Sequence, residues 1–496
     1  MNRAMDGCFK TIHIPRMCDA SHVLAAAFRH HGIPSEVLPE TTPESVALGQ
    51  ELCGGRECLP CFATVGDFIH HARSRKCDRH HAALLMLGSS GPCRLGQYAV
   101  LARRLLDEHR LEEVDILSPS SIDSYKSFGP GSGRVRWLCW QGVVATDLLQ
   151  QLVLGHRPYE AIAGSTDAIH AEGLRQITTA VESGGGARLV RVMGGIASRF
   201  ESLAIDRTQA RPRIGIVGEI YVRQNAFANQ GLARQVEQAG GEVALATNME
   251  WMYYTNLDMA QRSHRTGNWV AALQARILDL GQRFAEHRIT RPVRHLLRFR
   301  RESPALELQR AAAPYLTPVV GCDTEALLTL GKAVTFAREG FSGILNVMPF
   351  SCMPGVIAAG IAPRIRADFD NIPWLDVSYD SLGGTNLRTR LEPFLHQARQ
   401  FQLRTRPRPP EPLRAAETPP AGEAPAAPPA HADGEGRPGA ARPGSNKAVL
   451  ERKLAGRGNV DAALLDALER YRYFRDNAQK QRLETDIKKL APYELI

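Results

Sequence analysis

The sequence predicts an α/β fold built from two doubly wound, parallel-sheet domains. Short apolar strands alternate with helices in the first part of the chain, and the alternation begins again near residue 208. Strands that alternate with helices are typical of parallel sheets. The chain has 496 residues, whereas single hydrophobic cores rarely grow beyond roughly 250–300 residues. We therefore expect two large domains with a cleft between them.

The first predicted domain covers residues 1–207. It opens with the strand TIHIP and the helix SHVLAAAFRHHG, whose terminal Gly32 fits a helix C-cap because glycine tolerates left-handed backbone. The strands SEVLP, HAALLMLG and VDILSP follow, with helices between them. In a doubly wound sheet, ligands bind at the loops that follow the strands.

The second predicted domain covers residues 208–403 and repeats this design without repeating the sequence. Its strands are RIGIVGEI, EVALAT, GILNVMP and WLDVSYD. Residues 404–445 are rich in proline, alanine and glycine and predict a disordered linker. Residues 446–496 predict helices, which either pack as a docking hairpin or form a partner-binding module on a tether.

Charge and composition argue against two classes of partner. The formal net charge is +9, but basic and acidic residues alternate without the aromatic-spaced basic stripe of nucleic-acid binders. The uncharged stretch 341–363 is broken by asparagine and prolines, so we expect no membrane span. The N-terminus lacks the apolar region of a signal peptide, which predicts a cytoplasmic protein.

Three short stretches place cysteine in a turn where a helix is predicted to begin. They are GGRECLPC with Cys58 and Cys61, GSSGPCRLGQY with Cys93, and VMPFSCMPG with Cys352. Because a helix N-terminus carries positive partial charge, we expect it to lower the thiol pKa and favour thiolates. Thiolate ligands favour an iron–sulfur cluster or zinc over a hard cation.

Zinc is the weaker alternative because neither a second CxxC nor a histidine pair is predicted nearby. The histidines that follow the first CxxC are interpreted as a solvated basic face: His70, His71, His80 and His81. Cys53 fits either a fourth ligand or a helix end. The remaining cysteines are expected to be structural: Cys8, Cys18, Cys77, Cys139 and Cys322.

The sequence also bears on ATP binding and on the polar residues near the predicted site. The sequence has no GxxxxGK[ST] phosphate loop, so ATP hydrolysis is expected on another chain. Four polar residues follow the strand RIGIVGEI: Glu219, Arg223, Asn225 and Asn229. They fit either a helix-capping turn, opened by Asn225 or Asn229, or support for the metal site through a Glu219–Arg223 pair. No Asp or Glu is assigned as a general base.

Several of these segments resemble the acyl-CoA dehydratase activase-related family, which is associated with 2-hydroxyacyl-CoA dehydratases and CoA-substrate-specific enzyme activases. The resemblance is carried by GRECLPCFATVGDF, GPCRLGQY, VGEIYVRQNAFANQGL, EWMYY and GILNVMPFSCMPG. It implies a 4Fe-4S cubane or double-cubane cluster in the cleft, with Cys58, Cys93 and Cys352 as ligands and Cys61 as a candidate fourth. It also implies a separate ATPase activase subunit as partner.

These expectations describe an oxygen-sensitive iron–sulfur component that transfers electrons to, reduces or dehydrates an acyl-CoA or small-molecule substrate. A homodimer is compatible with them. Two alternatives stay open: a non-catalytic zinc-binding subunit, and a regulatory scaffold that acts through its C-terminal helices.

Overall fold

Two parallel sheets organise the chain, as the alternating pattern predicts. The computed structural model describes residues 10–54, 57–89, 93–120, 132–298, 304–317, 325–381, 383–384 and 386–405. These residues are mixed α/β, 62% helical, and belong to one compact unit. Cys8, Cys322, residues 406–445 of the predicted linker and the predicted helical segment 446–496 lie outside the described residues.

The first sheet has four strands, all parallel, in the order β2-β1-β3-β4. They are β1 (Thr11–Ile14), β2 (Ser35–Val37), β3 (Ala82–Leu85) and β4 (Asp115–Leu117). The order reverses between β1 and β3. In such sheets, ligands bind at the carboxyl ends of the two strands that flank the reversal.

The second sheet has the order β6-β5-β7-β8-β9, so its first four strands repeat the arrangement of the first sheet. They are β5 (Arg213–Gly218), β6 (Glu242–Leu245), β7 (Gly343–Pro349) and β8 (Trp374–Asp380), followed by β9 (Gly383–Gly384). The short β9 pairs antiparallel with β8 and was not predicted. Here the strands that flank the reversal are β5 and β7, which are direct neighbours.

Helices alternate with the strands in both parts of the sequence, and a run of helices separates β4 from β5 along the chain. In the first part they are α1 (Ala20–His30), α2 (Pro43–Cys53), α3 (Leu59–Arg73), α4 (Tyr98–Glu108), α5 (Ser132–His156), α6 (Ser165–Glu182) and α7 (Gly186–Glu201). In the second part they are α8 (Ile220–Gln224), α9 (Leu232–Gln238), α10 (Asn248–Arg265), α11 (Trp269–Thr290), α12 (Ala305–Ala312), α13 (Glu325–Arg338), α14 (Met353–Asp368) and α15 (Leu387–Thr405). Within the described ranges, no helix is long and apolar enough to cross a membrane.

The packing of α2 against α3 is unusually close and fixes the first cysteine loop between them. A Cβ atom added at Gly66 would lie 1.8 Å from the carbonyl oxygen of Ser45, and one at Gly49 would lie 1.9 Å from that of Phe62. Only glycine fits at these two crossing points. Asp67, the next residue on α3, accepts hydrogen bonds from side chains of α2 and of the residue before its N-cap.

Candidate functional site

All three predicted cysteine turns are helix starts. Cys58 is the N-cap of α3, and Cys352 is the N-cap of α14. Cys93 is the N-cap of a short 3-10 helix, Arg94–Gln97, that leads directly into α4. Each of the three thiols is partly exposed. The sequence-based placement of these residues in strand-to-helix or helix-to-helix turns is confirmed.

The turn that carries Cys352 is held tightly against the second sheet. The backbone N–H of Phe350 donates to the carbonyl of Tyr379 at 2.7 Å, and Ser351 adopts left-handed backbone with φ 57°. A Cβ at Gly355 would lie 2.6 Å from the Met348 side chain, so glycine lets α14 begin this close to β7. A non-glycine residue in left-handed backbone costs about 1–2 kcal/mol. The surrounding contacts hold Ser351 there and fix the direction of the next residue, Cys352.

The three thiols gather around one carboxylate, Glu219. Burial raises the pKa of Cys58, Cys93 and Cys352, and the nearby Glu219 charge raises each of them further. Cys93 acts in the same direction on Cys58 and on Cys352. Charges act on one another in this way only over short distances, because salt and water screen distant pairs. Cys58, Cys93 and Cys352 thus share Glu219 as an electrostatic neighbour, and we call these three thiols the thiol cluster.

The topology explains this convergence. Glu219 follows β5 directly, and Cys352 follows β7 after two intervening residues, so both lie at the order reversal of the second sheet. Asn225, at the end of α8, donates a hydrogen bond at 3.2 Å to the carbonyl of Arg16, which follows β1 of the first sheet. This hydrogen bond joins the end of α8, which follows β5, to the loop after β1 of the first sheet.

The helix starts act on the thiol pKa values in the expected direction, but each pKa is raised overall, so the expected preference for thiolates is wrong. Backbone N–H groups at each helix start lower the three thiol pKa values. Burial raises these pKa values by more, and the neighbouring carboxylates raise them further. The pKa of Cys58 rises to about 11. The free thiols are therefore protonated near neutral pH, and a metal that binds them must displace protons.

Tyr98 is the closest polar partner of the thiol cluster. Its hydroxyl lies 2.5 Å from the Cys58 sulfur, and the ring is buried at the start of α4. This hydrogen bond lowers the pKa of Cys58, against the larger effect of burial. Tyr98 therefore joins the start of α4 to the start of α3.

A second carboxylate and a guanidinium complete the site. Glu325, the first residue of α13, lies 4.0 Å from the buried Arg223 guanidinium. Burial raises the pKa of Glu219 and raises that of Glu325 well above 4.5, with Glu219 adding to the second effect. The Arg223 guanidinium also donates to the carbonyl of Gly218 at 2.6 Å. Glu325 also raises the pKa of Cys93 and of Cys352.

The polar run after β5 forms helix-capping contacts, as one of the two interpretations predicts. Glu219 caps α8 by accepting the N–H groups of Tyr221 and Val222 at 3.1 and 2.8 Å, and Asn225 and Asn229 accept N–H groups three residues ahead. Glu219 also faces the thiols. The predicted Glu219–Arg223 pairing exists as an electrostatic attraction that lowers the pKa of Glu219, whereas the ion pair of Arg223 is with Glu325.

Cys61 and Cys53 are buried in the core between α2 and α3, and Cys58 also raises the pKa of Cys61. Cys61 is 0% exposed within the core between α2 and α3. Its thiol hydrogen-bonds to Cys53, and this contact together with burial raises its pKa. Cys61 is therefore placed as a core residue beside Cys53, one turn into the helix that Cys58 caps.

Sequence reasoning missed two groups of residues. Glu325 has the ordinary signature of an acidic residue in a first helical turn, so nothing in the sequence separates it from a helix-stabilising charge. His71 was predicted on a solvated basic face, but it is partly buried and its ring centroid lies 4.4 Å from that of His13. Together with the buried Cys77, these histidines form a group that could hold a metal ion.

Comparisons with known proteins add no family to this description. The chain matches no protein-family model and no curated protein.

Proposed function

We propose that Cys58, Cys93 and Cys352 hold an iron–sulfur cluster that handles low-potential electrons for the reduction or dehydration of an acyl-CoA or another small substrate. The observation that carries this proposal is the convergence of three cysteines, each at a helix start and each from a separate loop, around Glu219. No known phosphate loop occurs in the sequence, so the ATPase that drives the electron is assigned to a separate activase subunit.

The donor set suits a cluster better than a single zinc ion. Tetrahedral zinc with Zn–S bonds of about 2.3 Å requires sulfurs about 3.8 Å apart. Among the described side chains, the groups with ligand atoms within 4.8 Å of one another do not include the three thiols. A cluster of several metal atoms needs wider spacing and soft thiolate donors. When bound, such a cluster would supply one-electron transfer, and Cys58, Cys93 and Cys352 are the residues that would hold it.

The residues around the thiols have distinct roles in this proposal. Arg223 lies 4.0 Å from Glu325, and its charge lowers the pKa of Glu219. Burial and Glu219 raise the pKa of Glu325 well above 4.5, which suits a carboxyl that gives a proton to a leaving hydroxyl. Tyr98 holds Cys58 in position through its hydroxyl.

An apolar rim suits docking of an electron donor or a second copy of this chain. Leu87, Phe350, Met353 and Val356 are exposed, and they lie just after β3 or beside Cys352. Exposed apolar groups next to a site are typical of interaction surfaces.

We propose that the two sheets belong to two domains, that substrate enters a cleft between them, and that the protein works in the cytoplasm, where thiols stay reduced.

The test is anaerobic purification followed by iron and sulfide analysis and electron paramagnetic resonance of the reduced protein. We expect a brown protein that loses its iron in Cys93→Ser and in Cys352→Ser. Cys139→Ser is the matched control, since Cys139 lies on α5 and is expected to be structural, and it should keep its iron. Removal of residues after Leu403 should also leave the iron in place.

Two results would overturn the proposal. One is a colourless protein in which zinc content depends on Cys352, which would favour the zinc-binding alternative. The other is full iron content in both cysteine variants.

A further inference from the structure

A second group of metal-ligand side chains lies away from the thiol cluster, on the first sheet. His13 is in β1, His71 is in the last turn of α3, and Cys77 follows that helix. One ligand atom from each residue lies within 4.8 Å of the other two. Two of these side chains, His13 and Cys77, are buried. Three donors of this kind from three chain segments define a compact pocket.

The spacing is close to that of a tetrahedral zinc ion. Bonds of about 2.0–2.1 Å to nitrogen and 2.3 Å to sulfur place ligand atoms about 3.3–3.8 Å apart. Small side-chain rotations would close the gap from 4.8 Å. Imidazole and thiolate are both ligand types that zinc takes, and they are poor ligands for calcium or magnesium.

His71 supplies an independent sign that a ligand belongs there. Its Nε2 atom is buried and has no hydrogen-bond partner among the described residues. A buried polar atom without a partner costs free energy that a bound metal ion would remove.

Glu36 is a carboxylate beside the proposed metal ligand His13. Its carboxylate lies 2.8 Å from Nδ1 of His13, on the strand that pairs with β1. In metal sites, a carboxylate at one ring nitrogen fixes the imidazole and strengthens its other nitrogen as a ligand. The other charged neighbours are Asp78 and Arg79, which act on Cys77 in opposite directions, and His70, which acts on His71.

We propose that His13, His71 and Cys77 bind a divalent transition-metal ion, zinc being the ion that this donor set favours, with Glu36 orienting His13. The ion clamps the C-terminal end of α3 to β1 and to the loop that follows the helix. This site shares no ligand with the thiol cluster, so it can be tested whether or not an iron–sulfur cluster is present.

The first test measures zinc and iron separately in the full chain by elemental mass spectrometry. We expect zinc equimolar with the protein, and loss of that zinc in His71→Ala. His70→Ala is the matched control because His70 is the exposed neighbour on the same helix, and it should keep its zinc. Glu36→Gln should weaken zinc affinity about 10- to 100-fold, as loss of such a supporting carboxylate does elsewhere.

The second test replaces zinc by cobalt and does not depend on the folding of His71→Ala. A chain with Cys58, Cys93 and Cys352 all changed to serine has no thiol cluster. On addition of cobalt it should still show the thiolate-to-cobalt charge-transfer band, and a further Cys77→Ser change should abolish that band. Absence of the band from the triple variant, or zinc retained equally in His71→Ala and His70→Ala, would overturn the proposal.

Discussion

The glycine contact between α2 and α3 provides a sharp test of the packing that positions the site. In Gly66→Ala, the new methyl group would lie 1.8 Å from the carbonyl oxygen of Ser45 and 2.7 Å from its carbonyl carbon. Favourable contacts between nonbonded carbon atoms begin at about 3.5 Å. Both colliding atoms of Ser45 belong to the backbone, so no change of rotamer relieves the clash. The two helices must therefore move apart by about 1 Å or more.

The expected loss of stability follows from two opposing effects. Overpacking in a tight core costs about 1–3 kcal/mol, and a backbone clash belongs at the upper end. Alanine gains about 1 kcal/mol over glycine in helix propensity. We therefore expect Gly66→Ala to reduce the free energy of unfolding by about 2 kcal/mol. Because Cys58 caps α3, iron content should fall as well.

The assay is urea unfolding followed by circular dichroism, with Gly195→Ala as the control. Gly195 lies in α7, and an added Cβ there meets nothing within 4 Å. The control should therefore be neutral or more stable by up to about 1 kcal/mol. A Gly66→Ala protein whose urea midpoint equals or exceeds that of the unchanged chain would refute the reasoning.

Three further predictions concern other parts of the chain. Arg157→Met breaks a partly buried bidentate pair with Glu237, at 2.7 and 2.9 Å, and should cost about 1–3 kcal/mol in urea unfolding. The hydrogen bond to Asp19 raises the pKa of His170. The pair therefore stabilises the fold below about pH 6.5, and this stabilisation is lost as the pH rises through the pKa of the folded state. His170→Gln should lower the urea midpoint more at about pH 5.5 than at about pH 8.5. Cys61→Ala should lower stability but keep its iron, because Cys61 is a core residue.

The parts of the site that the sequence predicts are local. Each pattern spans only about ten residues: a strand, then a glycine or proline, then a cysteine, then the start of an amphipathic helix. Periodicity or turn chemistry identifies each of these parts. Cys93 and Cys352 were therefore placed correctly at helix starts. The parallel pairing was predicted in the same way, from alternation of elements.

The parts that sequence reasoning missed depend on tertiary contacts. Burial decides the pKa of Cys58 and Cys352, and no local pattern reports how much protein covers a turn. His71 reaches His13 because α3 packs beside β1, while its sequence neighbours suggest an exposed basic face. Cys77 was expected to be structural, and no local pattern shows that His13 of β1 lies beside it.

Helix α3 carries Cys58 at its beginning and His71 near its end, so it links the two proposed sites. At 1.5 Å per residue the two ends are about 20 Å apart, beyond the reach of screened charges. The middle of the helix is held independently, by Gly66 against α2 and by the bonds of Asp67 to Thr41 and Ser45.

Loss of the second site should therefore stay local. Effects at sites more than about 10 Å apart with no shared partners usually add within 0.3–0.5 kcal/mol, which is about a factor of two in affinity. We expect Cys77→Ser to abolish zinc binding and to leave iron affinity within about twofold of that of the unchanged chain, measured by iron release to a chelator. A tenfold faster release would contradict this independence. It would mean that α3 shifts as a rigid rod when its C-terminal end is freed, and that the contacts of Gly66 and Asp67 do not anchor it.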